Sequence, residues 1–476
     1  MFSSVYFVLA SSLCAADALP AYARLGGEGR LGEACATLAS RAEREDEAAD
    51  PVVLQAYADI QLALGRLIEA EEGYRKAQRA IRQSRDALRI ASCRNAGWLA
   101  FFQDRFGTAV ACFNRVLEES EASAAQRFES RLGKSLVLLH LGCLGAVGQQ
   151  LDMLEQTAEQ AGAGGFADLA ASLRYDARIQ HELRGAELLR DHIYWRSAAQ
   201  GVMPDTFGAM APAPLSASMP LLAQRLEYLS HLHRFAFGEK GLCERFDPHL
   251  KWAAASGLAE YHRSLCLEVS VAAVATQAPH TAETMLGHCR VGNGVAHQHK
   301  RWYLEYLYCL SKVRQQQGRG HESTELYGRY ALASISHVRA DSMLMPAVTA
   351  EAASPAGAQP RADDVSTRLP AKYRRAYRYL MEHLDQRDLS VRELAAQIGV
   401  TERALQAAFK THLGLSPSEL IRQRRMERIR EELTRENGGV TGVLDAAHKW
   451  GIQHRSTLIN SYRKVFQEAP SETLAR

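Results

Sequence analysis

Apolar positions recur through the first part of the chain at the spacing of helices buried on one face, as in Leu132, Leu136 and Leu139 and then Leu151 and Leu154. A longer period is superposed on that one. Gly65, Ala70, Tyr74 and Ala77 stand at steps of five, four and three, which predicts a helix end, a tight turn and the buried face of a second helix. The frame also fits Gly29, Ala34 and Leu38 before it and Asp104, Ala109, Phe113 and Val116 after it, placing Ala34, Ala70 and Ala109 36 and 39 residues apart. Gly142, Val147, Leu151 and Leu154 carry a fainter copy, and Gly318, Ser323 and Tyr327 a distant one. Two antiparallel helices approach closely only where a small side chain faces a bulky one. Each such hairpin leaves an apolar face that a neighbour has to cover. Trp98, Phe101 and Phe102 fit the same logic as core aromatics on a first helix.

This pattern resembles the tetratricopeptide family of helical hairpins in degenerate form, which implies a stacked solenoid over residues 1–200 and further hairpins over 221–345. Between them, 201–220 (GVMPDTFGAMAPAPLSASMP) is Pro-rich without helical pattern and is expected to be a loop. Residues 346–370 hold Pro346, Pro355, Pro360 and Pro370 among Ala, Ser, Gly and Gln and are expected to be a linker. A compact helical domain is expected over 371–476, starting with the helix of Tyr373, Tyr377, Leu380 and Leu384. Met1 to Ala18 is apolar enough to imitate an export signal, but no Lys or Arg precedes Arg24. It is expected to be the first solenoid helix. The fold class expected is therefore all-α: a tetratricopeptide-like solenoid joined by a Pro-rich linker to a C-terminal helical domain.

Inside that last domain one arrangement occurs twice. Val391, Leu394, Ala395 and Ile398 make the inner face of a short helix, Gly399 permits a sharp turn, and Leu405 and Phe409 lie on one face of the next helix. That is helix-turn-helix spacing. Thr401 is placed as the cap of the second helix, leaving Glu402, Arg403, Gln406, Ala407 and Lys410 off the buried stripe. In the second copy Val443, Leu444 and Ala447 precede Gly451 and Ile452, then Leu458, Tyr462 and Phe466, with Arg455, Ser456, Thr457, Ile459 and Asn460 opening the helix. Leu405 and Leu458 are equivalent, 53 residues apart. Between the copies runs a capped helix start, Ser416-Pro417-Ser418-Glu419, and the arginine-dense IRQRRMERIREEL.

At LSVRELAAQIGVTERALQAAFKTHLGLSPSELI and VLDAAHKWGIQHRSTLINSYRKVFQEAPSE the sequence resembles the AraC/XylS family of bacterial transcription regulators. With the repeat body in front, the architecture is similar to the Hrp-type activators of type III secretion genes. The resemblance implies a double helix-turn-helix domain that binds double-stranded promoter DNA, works with RNA polymerase and controls virulence genes. Base-reading candidates are Thr401, Glu402, Arg403, Gln406, Arg455, Ser456, Thr457 and Asn460; phosphate candidates are Lys410, Arg422, Arg424, Arg428, Arg463 and Lys464. Arg matches the two acceptors of guanine and Gln the donor-acceptor pair of adenine, which singles out Arg403 and Gln406. Arg425 is set apart as a brace for the connecting helix. Where many family members carry arginine this chain has Ala407 and Asn460, so site preference does not transfer. Ile452 and Tyr462 replace common phenylalanines and Glu468-Ala469 the usual glycine region, yet the second unit is expected to fold.

Charge sharpens the division. From Ser366 to Arg476 there are 20 Lys/Arg against 13 Asp/Glu, net +7, and in residues 1–365 there are 37 against 41, net −4. A basic tail fits a polyanion and the body something else. The nine cysteines are odd in number, without a CxxC pair and absent from the tail, the pattern of buried thiols in a reducing compartment, here the bacterial cytoplasm. No Walker loop, zinc-protease helix or nucleophile elbow occurs, so no enzyme is expected, nor any cofactor or metal. His288-Cys289 with His297 and His299 is the one metal-flavoured cluster, where solvated loop histidines rather than zinc ligands are expected, and GAGG at 162–165 is expected to be a turn. No membrane segment is expected. The body is left to meet a protein partner or a small effector, and an alternative stays open: a repeat scaffold whose tail does not read DNA sequence.

Overall fold

The computed structural model describes residues 2–42, 50–81, 84–162, 164–198, 219–289, 300–349, 369–413, 415–433, 443–466, 469, 470 and 473. Among them there are helices and no strand. The chain divides into two compact units, Met1–Ser354 and Pro355–Arg476.

The body begins with α1 (Ser3–Cys14) and continues in hairpins: α2 (Pro20–Glu28) with α3 (Leu31–Ala42), α4 (Pro51–Ala63) with α5 (Leu67–Ala80), α6 (Arg85–Phe102) with α7 (Phe106–Glu118), and α8 (Ala124–His140) with α9 (Leu144–Ala161). Then follow α10 (Gly164–Arg184), the short α11 (Ile193–Ala198), α12 (Pro220–Ala236), α13 (Asp247–Ala255), α14 (Ala259–Ala275), α15 (Pro279–His288), α16 (Arg301–Gln316) and α17 (Gly320–Thr349).

One helix stop recurs throughout. At Gly65 the backbone turns left-handed (φ 77°), the amide of Arg66 reaches back to the Gln61 carbonyl at 2.9 Å, and α5 starts at once with Ala70, Tyr74 and Ala77 buried. The repeat frame read at Gly29, Asp104, Gly142 and Gly318 has the same left-handed turn in each case. In the last of these Ser323 and Tyr327 are only half-buried. Two further copies had gone unread: Gly257 with Cys266 and Val269, and Gln277 with Ala282, Leu286 and Cys289, the named apolar residues all buried. Small residues set the close approaches. Phe113 fills a slot that Gly97 and Gly133 leave open; a Cβ on either would lie 2.7 or 2.5 Å from its ring.

The Met1–Ala18 segment forms the first helix, as expected, and that helix lies inside the body: ten of the twelve residues of α1 are buried, and α2, α4, α8, α10 and α14 all pack on it. The array also closes on itself: α12 packs on α2 and α17 on α7, and Trp252 Nε1 donates to the Gly29 carbonyl at 3.1 Å. A helix buried on every face needs cover on every side, and the helices that close around α1 supply that cover.

Two buried ionic clusters straddle α1. Arg94 binds Asp59 (2.6 Å) and Glu129, and Arg225 binds Asp176 (2.9 Å) and Glu268 (2.9 Å). Ser11 donates to Asp59 at 2.5 Å and Tyr6 to Asp176 at 3.2 Å, so α1 is tied into both. Removing one partner of such a buried pair costs about 3–5 kcal/mol, because the other charge is left buried and unpaired.

One correction concerns the start of the expected linker, because α17 runs through Pro346 to Thr349. The expected loop lies outside the described residues save Met219 and Pro220, which opens α12, and most of the linker lies outside them too, as do His297 and His299. No group of His, Cys, Asp and Glu that could hold a metal occurs among the described residues. None of the described helices is long and apolar enough to cross a membrane.

Candidate nucleic-acid interface

The second unit contains α18 (Ala371–Glu382), α19 (Val391–Gln397), α20 (Glu402–Leu413), α21 (Pro417–Leu433), α22 (Val443–Lys449) and α23 (Arg455–Phe466). Two small cores hold it. One gathers Tyr377, Leu380, Leu394, Leu405, Phe409 and Leu420; the other gathers Met426, Ile429, Ala446, Ala447, Leu458 and Tyr462.

Each core carries a helix-turn-helix. Ser390 caps α19 by accepting from the Glu393 amide at 3.2 Å. Gly399 turns left-handed (φ 62°), and the Thr401 hydroxyl accepts from the Ala404 amide at 3.2 Å, capping α20 as its sequence predicts. Leu405 and Phe409 face inward, while Thr401, Glu402, Arg403, Gln406, Ala407 and Lys410 are exposed. Gly451 (φ 73°) repeats the turn ahead of α23. There Leu458 and Tyr462 are buried and Arg455, Ser456, Thr457, Asn460 and Arg463 are exposed, with Ile459 half-buried. The Lys464 side chain lies outside the described part. Leu444 departs from its expected inner position: Ala446 and Ala447 fill the core and Leu444 is 40% exposed.

The connecting helix α21 starts on a reciprocal cap, in which the Glu419 amide donates to Ser416 Oγ (3.3 Å) and the Ser416 amide to Glu419 Oε2 (2.8 Å). Its arginines do not form one outward set. Arg422 is exposed. Arg424 turns inward, only 13% exposed and paired with Glu427 at 2.7 Å, and so leaves the phosphate candidates. Arg428 is half-buried with its guanidinium 5.8 Å from the Trp450 ring. Arg425 is a brace: its Nε donates to the Leu384 carbonyl at 2.9 Å and its NH2 to the Gln386 carbonyl at 2.5 Å. Burial pushes this guanidinium below its ordinary pKa. A Cβ on Gly451 would lie 3.0 Å from the same NH2 and 3.1 Å from the Asp385 carbonyl, so Arg425 sits where the α18–α19 loop meets the second turn.

Sequence reasoning missed two other ties. Trp450 packs on both cores, and Lys449 donates to Glu432 at 2.6 Å, fastening α22 to α21. An aromatic side chain just before a turn glycine is the one signal the sequence offered for the first. The arrangement presents two short exposed helix faces, each opening with an arginine and amide or hydroxyl groups, from two cores joined by one braced helix. Exposed helices of this kind fit the major groove of B-form DNA, whose base edges offer distinct donor and acceptor patterns.

Comparison with known proteins agrees with this architecture. Residues 394–476 match a family described as a helix-turn-helix domain. Along its whole length the chain is 35% identical to the regulatory protein HrpB of Ralstonia nicotianae, covering all of both chains. Over about a fifth of this chain and a third of each relative, it is 35% identical to the probable thc operon regulatory protein of Rhodococcus erythropolis and 34% identical to the XylDLEGF operon transcriptional activator 1 of Pseudomonas putida. No solved structure matches the chain.

Proposed function

Because the chain belongs to the AraC/XylS family of DNA-binding transcription regulators, we propose that it is a sequence-specific activator of type III secretion and virulence genes in the bacterial cytoplasm. The observation that carries this reading is the pair of exposed faces on α20 and α23, held on two cores by one braced helix. Arg403 and Gln406 read bases from the first, and Arg455, Ser456, Thr457 and Asn460 from the second, with Thr401 and Glu402 at the entrance of α20. Lys410, Arg422, Arg428, Arg463 and Lys464 meet phosphates, so affinity falls with salt as counterions are released. Recruitment of RNA polymerase converts binding into activation, and the body receives the signal, from a small effector or a protein. Likeness to a full-length regulatory protein supports the assignment to secretion genes only through that relative's name.

A second reading is favoured by Ala407 and Asn460, which stand where arginine is common in the family: the tail docks without reading sequence and the body acts as a scaffold. Titrating the full chain against DNA from upstream of the secretion operons of its own genome, beside scrambled duplexes, separates the two. Selective, salt-sensitive binding is the expected result. Equal affinity for both duplexes selects the scaffold.

A further inference from the structure

We propose that the central cavity of the body is a binding site for a small organic acid with an apolar body; this rests on the reading above that the body receives a signal, and names the chemistry of the signal. The cavity measures about 210 Å³ and opens among α1, α4, α6, α10, α11, α14 and α16. An apolar cavity of about 150 Å³ takes up benzene, so this one has room for a ring or short chain together with a head group. Phe2, Leu62, Phe101, Phe102 and Trp302 supply apolar lining.

Charges in the lining are already balanced by fixed partners. Arg184 is paired with Glu305 (2.6 Å), Arg301 with Asp341 (2.7 Å) and Lys300 with Asp104 (3.0 Å). What the cavity leaves unmet is a set of donors. His192 Nδ1 accepts the Trp195 backbone N–H at 3.1 Å, which puts the ring proton on Nε2, and Nε2 has no acceptor. Burial holds that ring neutral by pushing its pKa down to about 4. Trp195 Nε1 is also buried without an acceptor. Arg263 is not one of them, because its NH1 is held by Glu260 Oε2 at 2.6 Å. Among the described lining residues no buried side-chain acceptor lacks a donor.

Orphaned buried donors without orphaned acceptors call for an occupant that only accepts. An ionised carboxylate is such a head: two oxygens, about four lone-pair sites and no proton to place. A primary amide would bring two donors that find no partner, and an ammonium three. The apolar lining selects a hydrocarbon body behind the head.

The test uses the full chain and needs no DNA, so its failure leaves the DNA-binding reading standing, and the converse holds. Thermal unfolding is followed with hexanoate or cyclohexanecarboxylate, against hexanamide, hexylamine and acetate. Either acid at about ten times its Kd is expected to raise Tm by about 2 °C, with the controls flat. Trp195→Phe keeps an aromatic ring and removes the indole N–H; it is expected to lower the unliganded Tm somewhat, through the smaller ring, and to weaken the acid about tenfold while the circular dichroism spectrum holds. Equal stabilisation by the amide or the amine overturns the proposal, and so does an unchanged affinity in Trp195→Phe. No stabilisation by either acid means that the cavity holds water alone and also overturns it.

Discussion

Arg403 and Arg455 each stand in the first turn of an exposed helix whose inner leucine, Leu405 or Leu458, is wholly buried. That fixes where the backbone points without fixing what the guanidinium meets, so the energetic consequence has to be measured. Arg403→Ala is expected to cost about 1–3 kcal/mol at the cognate site and to relax discrimination there; unchanged selectivity in a competition titration would remove the residue from base reading. Fold stability depends on other side chains. His249 lies 2.7 Å from the Tyr261 hydroxyl and against the Trp252 and Tyr228 rings, and burial, with Arg225 as the lesser cause, pushes its pKa down to about 3. Free histidine takes its proton near pH 6.5 (about the model-peptide value). Between those two values the unfolded chain binds the extra proton and the folded chain does not, so this group's contribution is full above about 6.5 and is lost as pH falls. From about pH 7.5 to about pH 5 the stability margin of wild type over His249→Gln should therefore shrink by about 2 kcal/mol in urea unfolding, one pKa unit being about 1.4 kcal/mol. A constant margin would mean that the ring takes up its proton as readily in the folded chain as in the unfolded one.

At the level of helices, the stop with a left-handed residue explains both what the sequence disclosed and what it withheld. Glycine marks that position at Gly29, Gly65, Gly142 and Gly318, and the body frame could be read from there. At Gln277 an exposed residue with a large side chain occupies the same conformation (φ 57°), closed by the same backbone bond, from the Ala278 amide to the Ala273 carbonyl at 2.8 Å. A search keyed to glycine, or to Asp as at Asp104, passes over it although Ala282, Leu286 and Cys289 follow in frame; Gly257 has its glycine, but His262 stands in the slot that takes a small residue in the copies read. Left-handed backbone costs a residue with a side chain about 1–2 kcal/mol. Gln277→Gly is accordingly expected to stabilise the body by about 1 kcal/mol, and a thermal melt no higher than wild type would contradict the shared-stop account. The helix-turn-helix pair was legible for a related reason: Gly399 and Gly451 mark the turns, and the inner and outer residues alternate with helical period around them. Arg424 was not legible. Whether an arginine on α21 points to solvent or to Glu427 depends on how that helix rolls against α18 and α22, which a single helix's periodicity does not encode. The same holds for α1, whose apolar run announces burial without showing that its four serines are buried too or naming the five helices that pack on it.

For the molecule as a whole the decisive contrast is between a body of net charge −4 built around a cavity and a tail of net charge +7 built around two exposed helices. The two make separate compact units, each with its own core. If the segment between Thr349 and Leu369 acts as the Pro-rich tether its composition suggests, affinity for DNA belongs to the tail and regulation to the body, coupled through local concentration or through a shared partner. The expected outcome is that a fragment from Ser366 to Arg476 binds the cognate duplex with the selectivity of the full chain and with a similar fall in log affinity per log salt, since the same phosphates are neutralised. Promoter activation in cells should nevertheless need the full chain. Two results would break this division in different places. Identical regulation by the fragment leaves the body without a regulatory role, whereas a large loss of selectivity in the fragment means that the body helps to hold the two recognition helices on DNA and that the tether is no tether. Reporter activity and binding isotherms on the same promoter tell these apart, because only the second result moves the isotherm.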